Sequence, residues 1–434
     1  MKLIKIKRLP KILVDLKFAI SILIVIAIAS SLGSFIEQDE PTAFYEENYP
    51  INKPIYGFIS SKLIFTFGFE HIYTTWWFLS LLIILSFSLI GCTLTRQFPL
   101  LKNSKEYFFR KKQQSYLKLP FAIKLKKTFY LKEKILLKLQ ELELYIYQNK
   151  NLIYGYRGLI GRISPILVHL SLIIILFGGG LGAFKNFKAQ EILPKGELFH
   201  IQNTIKIGPL TPLPNLTTRI NDFWVEYNKD KINQFYSNLS ILDNFGNELK
   251  NQTISVNNPV RYKNIDIYQS DWNLLGIRLL NEKTNQTYEY PVFPIKANTK
   301  SWITWLNDDS KVVSIIFDQF QNTFTIYNEE GKLLNIKNLG ETITKNYILT
   351  DLLPATGLLI KFDPSIKFIY LGFGLLIITT FLSYLPYTQF WIFEDKNNIW
   401  IGSSTNRGKI QLEIEFENLI RNIENKLFEN TFSK

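Results

Sequence analysis

The chain is poor in the residues that most redox and metal chemistry needs. It has one cysteine, Cys92, one methionine and three histidines (His71, His169, His200) among 434 residues. A lone cysteine excludes an internal disulfide, a CxxC redox pair, a cysteine-rich zinc site and a CxxCH haem attachment. Three scattered histidines make a self-contained histidine-rich metal centre a poor expectation. No GxxxxGK[ST] motif provides a nucleotide-phosphate loop. Charge is scarce in a patterned way: four apolar runs, 18–36, 72–95, 163–184 and 368–393, carry no Asp, Glu, Lys or Arg. Each is long enough to cross a bilayer as a helix.

The net charge of +13 lies mainly between these runs, so the basic balance reports topology and gives no ground for nucleic-acid binding. Six basic residues and one acid precede the first run, and residues 37–71 hold two basic residues against six acids. From Arg96 to Arg162 there are 16 basic residues and four acids. The positive-inside rule puts the N-terminal segment (1–17) and the 96–162 loop on one inner side, and the count of spans puts the 394–434 tail, with six basic and seven acidic residues, on the same side. The acidic 37–71 loop and the 185–367 block then lie outside. The basic start reads either as a cleaved signal peptide ending near Ala29-Ser30-Ser31 or as a retained first span, and the length of the apolar run favours the second.

Residues 185–367 alternate apolar and polar side chains, as in Phe223-Trp-Val-Glu-Tyr, with turns at Asn244-Phe-Gly-Asn and Glu329-Glu-Gly-Lys. The expected fold is a polytopic membrane protein. It has four transmembrane α-helices and a large all-β extramembrane domain, a sandwich of about ten short strands, between the third and fourth spans. Leu131–Gln148 reads as a helix and a strand, and Ile410–Phe428 as an amphipathic stretch. The basic, aromatic 97–161 loop suits anionic headgroups or a docked partner.

His169 is the only ionisable side chain in the third run, seven residues past Arg162 and so about 10 Å into the membrane. Intramembrane ionisable groups usually mark a pathway, a relay or a ligand site, and imidazole is a common axial ligand of haem iron. The plainer reading is a histidine bonded to a neighbouring helix. His71, just outside the second run beside Trp76-Trp77, reads either as a second ligand or as an interfacial histidine. His200 reads as an ordinary residue of the β domain.

Taken together, five motifs resemble the ResB/CcsB family of system II cytochrome c biogenesis membrane proteins. They are D-L-K-F-A-I-S-I-L-I-V-I-A-I-A-S-S-L-G-S-F-I-E-Q from Asp15, W-W-F-L-S-L-L from Trp76, P-I-L-V-H-L-S from Pro165, N-N-P-V-R-Y-K-N-I-D-I-Y-Q-S-D-W from Asn257 and A-T-G-L-L-I-K-F-D-P from Ala355. The resemblance covers nearly the whole chain. It implies a plastid thylakoid protein with its large domain in the lumen, or a cyanobacterial or other bacterial counterpart. It also implies a CcsA-type haem-handling partner and, as clients, apocytochromes c of the cytochrome f and soluble types. The pair would deliver haem and support its attachment to CxxCH thiols, this chain being a non-catalytic subunit. His169 would be an axial ligand to a transient, non-covalent b-type haem. Trp76-Trp77 lacks the following W-D pattern of the partner, so thioether formation is not expected here. Asp363 matches a recurring family acid without an assigned role. Asn258, Pro259, Tyr268, Gln269 and Trp272 are expected to be structural. The alternative is a structural membrane scaffold for the partner without haem ligation.

Overall fold

A computed structural model describes residues 11–429 except 106–107, 129, 229–230, 297–299, 309–310, 319–322 and 345. Residues 1–10, which carry four of the basic residues counted before the first span, lie outside the described part. The chain divides into two compact units, residues 1–180 with 365–434, and 181–364.

Four helices are long and apolar enough to span: Leu16–Phe35, Trp76–Lys102, Ile160–Lys185 and Ile366–Ser383. Their large apolar side chains are mostly exposed, Ile24 and Val25 on the first and Ile377 and Ile378 on the fourth among them. Helices hydrophobic all round, with no water-facing stripe, belong in lipid. The first span is capped by Asp15, whose carboxylate accepts from Lys17 N, and the second by Thr75, whose hydroxyl accepts from Phe78 N. The third and fourth pack through Gly372, where an added Cβ would lie 2.5 Å from Ile175 Cγ1 and 3.1 Å from Ser171 O. Such close approach is the usual role of small residues between membrane helices. Between the first two spans, Gln38 ties the loop: its amide donates to Ile36 O and Phe69 O and its Oε1 accepts from Ile72 N.

The fourth span is shorter than the 368–393 run suggests. Its helix ends at Ser383, and Thr388–Glu394, containing the Phe390-Trp-Ile-Phe run, is a strand. It occupies an interior place in a five-stranded antiparallel sheet ordered Phe121–Lys126, Asn398–Thr405, Thr388–Glu394, Leu152–Arg157, Tyr145–Asn149. A strand covered on both faces reads as a continuous apolar run, as a span does. One face packs on the helices Leu131–Glu141 and Lys409–Glu429 through Ile135, Leu139, Ile401, Phe416 and Ile423. Tyr116, Tyr154 and Trp391 form a second, aromatic core. The basic loop and the tail thus build one α/β domain.

Unit 181–364 is all-β, as expected, but organised as three antiparallel sheets. Two long strands, Ile265–Asn281 and Tyr347–Phe362, pair along most of their length and form its spine. Hairpins fold from this spine around two cores, one centred on Trp272 and Trp302, the other on Phe187, Ile241 and Leu358.

Candidate functional site

The second span is interrupted where its sequence turns polar. After Cys92 the hydrogen bonding widens to a π-helical turn, Thr93–Gln97 (T-L-T-R-Q), before the helix resumes. Such insertions are rare and occur often at functional sites. This turn meets the third span at His169. Thr93 Oγ1 lies 2.9 Å from His169 Nδ1, and Gln97 Nε2 lies 3.1 Å from His169 Nε2.

The network assigns the imidazole proton. Thr93 commits its only hydroxyl proton to Leu89 O at 2.8 Å, so towards His169 it can only accept. His169 therefore donates from Nδ1 and presents the Nε2 lone pair, which the Gln97 amide caps. A neutral imidazole with an outer partner on Nδ1 and a lone pair on Nε2 is the form that histidine ligands usually take. Two neighbouring polar atoms are buried without a partner among the described residues: Gln97 Oε1 and Arg162 Nε. Arg162 stacks over Tyr387 at 5.2 Å, and the Tyr387 hydroxyl donates to Ser104 O and meets the Tyr154 hydroxyl at 3.1 Å. Seven residues is two helical turns, so Arg162 and His169 share one face of the third span, about 10 Å apart.

These residues fit a haem carboxylate and iron in kind: one imidazole with a lone pair directed by a hydroxyl, and one guanidinium with an unused buried donor. The Gln97 amide must turn aside before Nε2 takes any other partner. Sequence reasoning found His169 but missed Thr93 and Gln97, which lie 76 and 72 residues away. Their only sequence signal was the polar T-x-T-R-Q break in an otherwise apolar span.

His71 is not brought to this site. It sits at the opposite end of the second span, in a short 3-10 segment, with Nδ1 3.1 Å from Glu70 Oε1 and its side chain 47% exposed. Thr75 and Thr93 are 18 residues apart, which places the two histidines at levels roughly 27 Å apart along that helix. His200 is on the β domain, its Nδ1 3.4 Å from Thr217 Oγ1. Gln269 bridges sheets, accepting from Ser237 and Thr356 through Oε1, and Trp272 packs against Trp302 with ring centroids 5.2 Å apart. Asp363 follows the last β-domain strand, three residues before the fourth span. Among the described residues no group of three or more His, Cys, Asp or Glu is placed to hold a metal ion.

Comparison with known proteins agrees with this architecture. Cytochrome c biogenesis protein Ccs1 of Thalassiosira pseudonana is 44% identical over 418 residues, covering 95% of this chain and 99% of that protein. Cytochrome c biogenesis protein CcsB of Crocosphaera subtropica is 37% identical over 437 residues, covering 96% and 95%. A solved structure, cytochrome c haem lyase CcmF, gives a TM-score of 0.25 at 9% identity over 74% of this chain and 42% of that one, too low to relate the folds. The model of the ResB-like family matches residues 16–343, the first three spans and most of the β domain. The chain belongs to the ResB-like family.

Proposed function

We propose that this protein serves cytochrome c biogenesis as a haem-handling membrane subunit, holding haem in transit at His169 beside a CcsA-type partner that passes it to apocytochromes c. The observation that carries this reading is the imidazole of an apolar span, its Nδ1 2.9 Å from the Thr93 hydroxyl and its Nε2 3.1 Å from the Gln97 amide. Haem is cargo here, and its propionates resist crossing hydrocarbon unaided. Arg162 supplies a guanidinium for a carboxylate, and Thr93 holds the imidazole in the ligating tautomer. Gln97 satisfies Nε2 until cargo arrives. The large β domain is the part that apocytochromes meet. The algal and cyanobacterial sources of the relatives favour a thylakoid membrane, with that domain in the lumen.

The Gln97 bond also favours a second reading, a scaffold in which His169 only fastens two spans. Both readings are tested by the visible spectrum of the protein co-purified with its CcsA-type partner, wild type against His169→Ala. Loss or alteration of a six-coordinate b-type spectrum supports ligation, reinforced if His169→Gly regains cytochrome c assembly with added imidazole. An unchanged spectrum in a stable mutant complex leaves the scaffold.

A further inference from the structure

The second span carries one residue more than an α-helix can fit between its fastenings. Upstream of the π-turn, the Ser88 hydroxyl donates to Leu13 O at 2.7 Å and ties the span to the segment before the first. Downstream, the helix Phe98–Lys105 ends against the α/β domain. The last carbonyls of a helix have no partner within it. Here the Tyr387 hydroxyl donates to Ser104 O at 3.0 Å, and just beyond the helix Trp391 Nε1 donates to Phe108 O at 2.8 Å. All these groups belong to one compact unit. Tyr387 is itself fixed, being 1% exposed with its hydroxyl 3.1 Å from that of Tyr154. Tyr154 accepts from Gln389 Nε2 at 2.7 Å and so donates to Tyr387, whose own proton is left for Ser104 O.

Between these fastenings the chain closes one turn over five residues. Phe98 N donates to Thr93 O, where an α-helix would join Gln97 N to that carbonyl. Such turns are rare, and this one is held from both ends. Return to α geometry carries every residue beyond the turn round by about one residue's rotation, roughly 100°. Gln97 stands at the far end of the turn, so its amide would leave His169 Nε2, now 3.1 Å away. Thr93, at the near end, would keep its place 2.9 Å from Nδ1. The same rotation turns Ser104 away from Tyr387, so it requires that bond to break.

We infer, on the reading of His169 as an iron ligand, that Tyr387 is a positioning residue for that ligand. Its bond to Ser104 keeps the π-turn wound and the Gln97 amide on Nε2. Freeing the helix Phe98–Lys105 from the α/β domain unwinds the turn and uncovers the lone pair, so loading of the site answers to that domain.

The test uses the full-length protein in nanodiscs with nitrogen-15 histidine, first without haem and then with it. Tyr387→Phe keeps the ring under Arg162 and removes the bond to Ser104. Its His169 Nε2 signal should move in the same direction as in Gln97→Leu, and haemin should bind at least about twofold tighter. In a Gln97→Leu background Tyr387→Phe should add nothing. Deleting Leu94 brings the turn to four residues with both fastenings intact. Gln97 then stays on Nε2 and Tyr387→Phe becomes silent. Should Tyr387→Phe fail to fold, Trp391→Phe, which frees Phe108 O, reads the same coupling. An unchanged Nε2 signal in the folded variant, or an equal shift with Leu94 deleted, would overturn the inference. Haemin affinity insensitive to His169→Ala would refute the haem reading alone, the haem-free nitrogen signals still deciding the part played by Tyr387.

Discussion

Replacing Thr93 by Val tests the geometry around His169 most directly. The substitution keeps the shape and removes the hydroxyl that lies 2.9 Å from the imidazole Nδ1. A buried donor left unpaired costs about 1–3 kcal/mol in proteins generally. Interhelical bonds in membranes average nearer ~0.6 kcal/mol, with a maximum of ~1.7 kcal/mol. The ring escapes that cost by moving its proton to Nε2, which requires the Gln97 amide to turn its unpartnered Oε1 inward. Either way the nitrogen proposed to bind iron is compromised, and loss of such an outer partner typically weakens metal binding 10–100-fold. Gln97→Leu acts in the opposite direction. It removes a bond to Nε2 that cargo must displace, together with the unpartnered Oε1. A net bond of about 0.5–1.5 kcal/mol corresponds to roughly two- to tenfold tighter binding. Haemin titration of the protein in nanodiscs, followed in the Soret band, reads both variants. Nitrogen-15 spectra of histidine-labelled protein read the tautomer without haem, since only three histidines contribute. Equal weakening by both substitutions, or no change by either, would refute the assigned proton arrangement.

Three further outcomes are expected. Gly372→Ala sets a Cβ against Ile175 and the Ser171 carbonyl and should cost about 1–3 kcal/mol, seen as a lower melting temperature, whereas Gly374→Ala, with nothing within 4 Å, should be neutral. Gln269→Leu removes the acceptor shared by Ser237 and Thr356, which then have only each other at 2.8 Å, and should destabilise the β domain by about 1–3 kcal/mol without altering the His169 nitrogen signals. The Lys127 and Lys132 ammonium groups, 2.6 and 3.2 Å from Glu394, hold its carboxyl below the usual value. A depressed carboxylate adds stability above its unfolded pKa of about 4.3 and loses it as pH falls through the folded one. Wild type should therefore resist denaturant better than Glu394→Gln at pH 7, and the gap should narrow on acidification below about pH 4.5.

The spans and the β domain were legible because each follows from local pattern: uncharged runs of about 20 residues, and alternation bounded by turns. The α/β domain was hidden because its sheet joins residues 121–157 to 388–405, a pairing no local window contains. The Phe390-Trp-Ile-Phe segment misled for a physical reason. An interior strand and a bilayer both reward unbroken hydrophobicity, and only length separates them. At the site, His169 stood out because an ionisable group in hydrocarbon is rare. Thr93 and Gln97 are unexceptional in composition and acquire meaning only when a π-turn aims both at one ring.

The order of the α/β sheet also bears on how the molecule is made. Strands 388–394 and 398–405 lie between Phe121–Lys126 and Leu152–Arg157, so the earlier strands wait as open edges while the 230 residues 158–387 are synthesised. Open edges invite wrong partners. They are covered only once the third and fourth spans have carried the chain across the membrane and back. Sheet closure thus demands an even number of crossings between the two pairs of strands, because a chain threaded with an odd number would leave those edges bare.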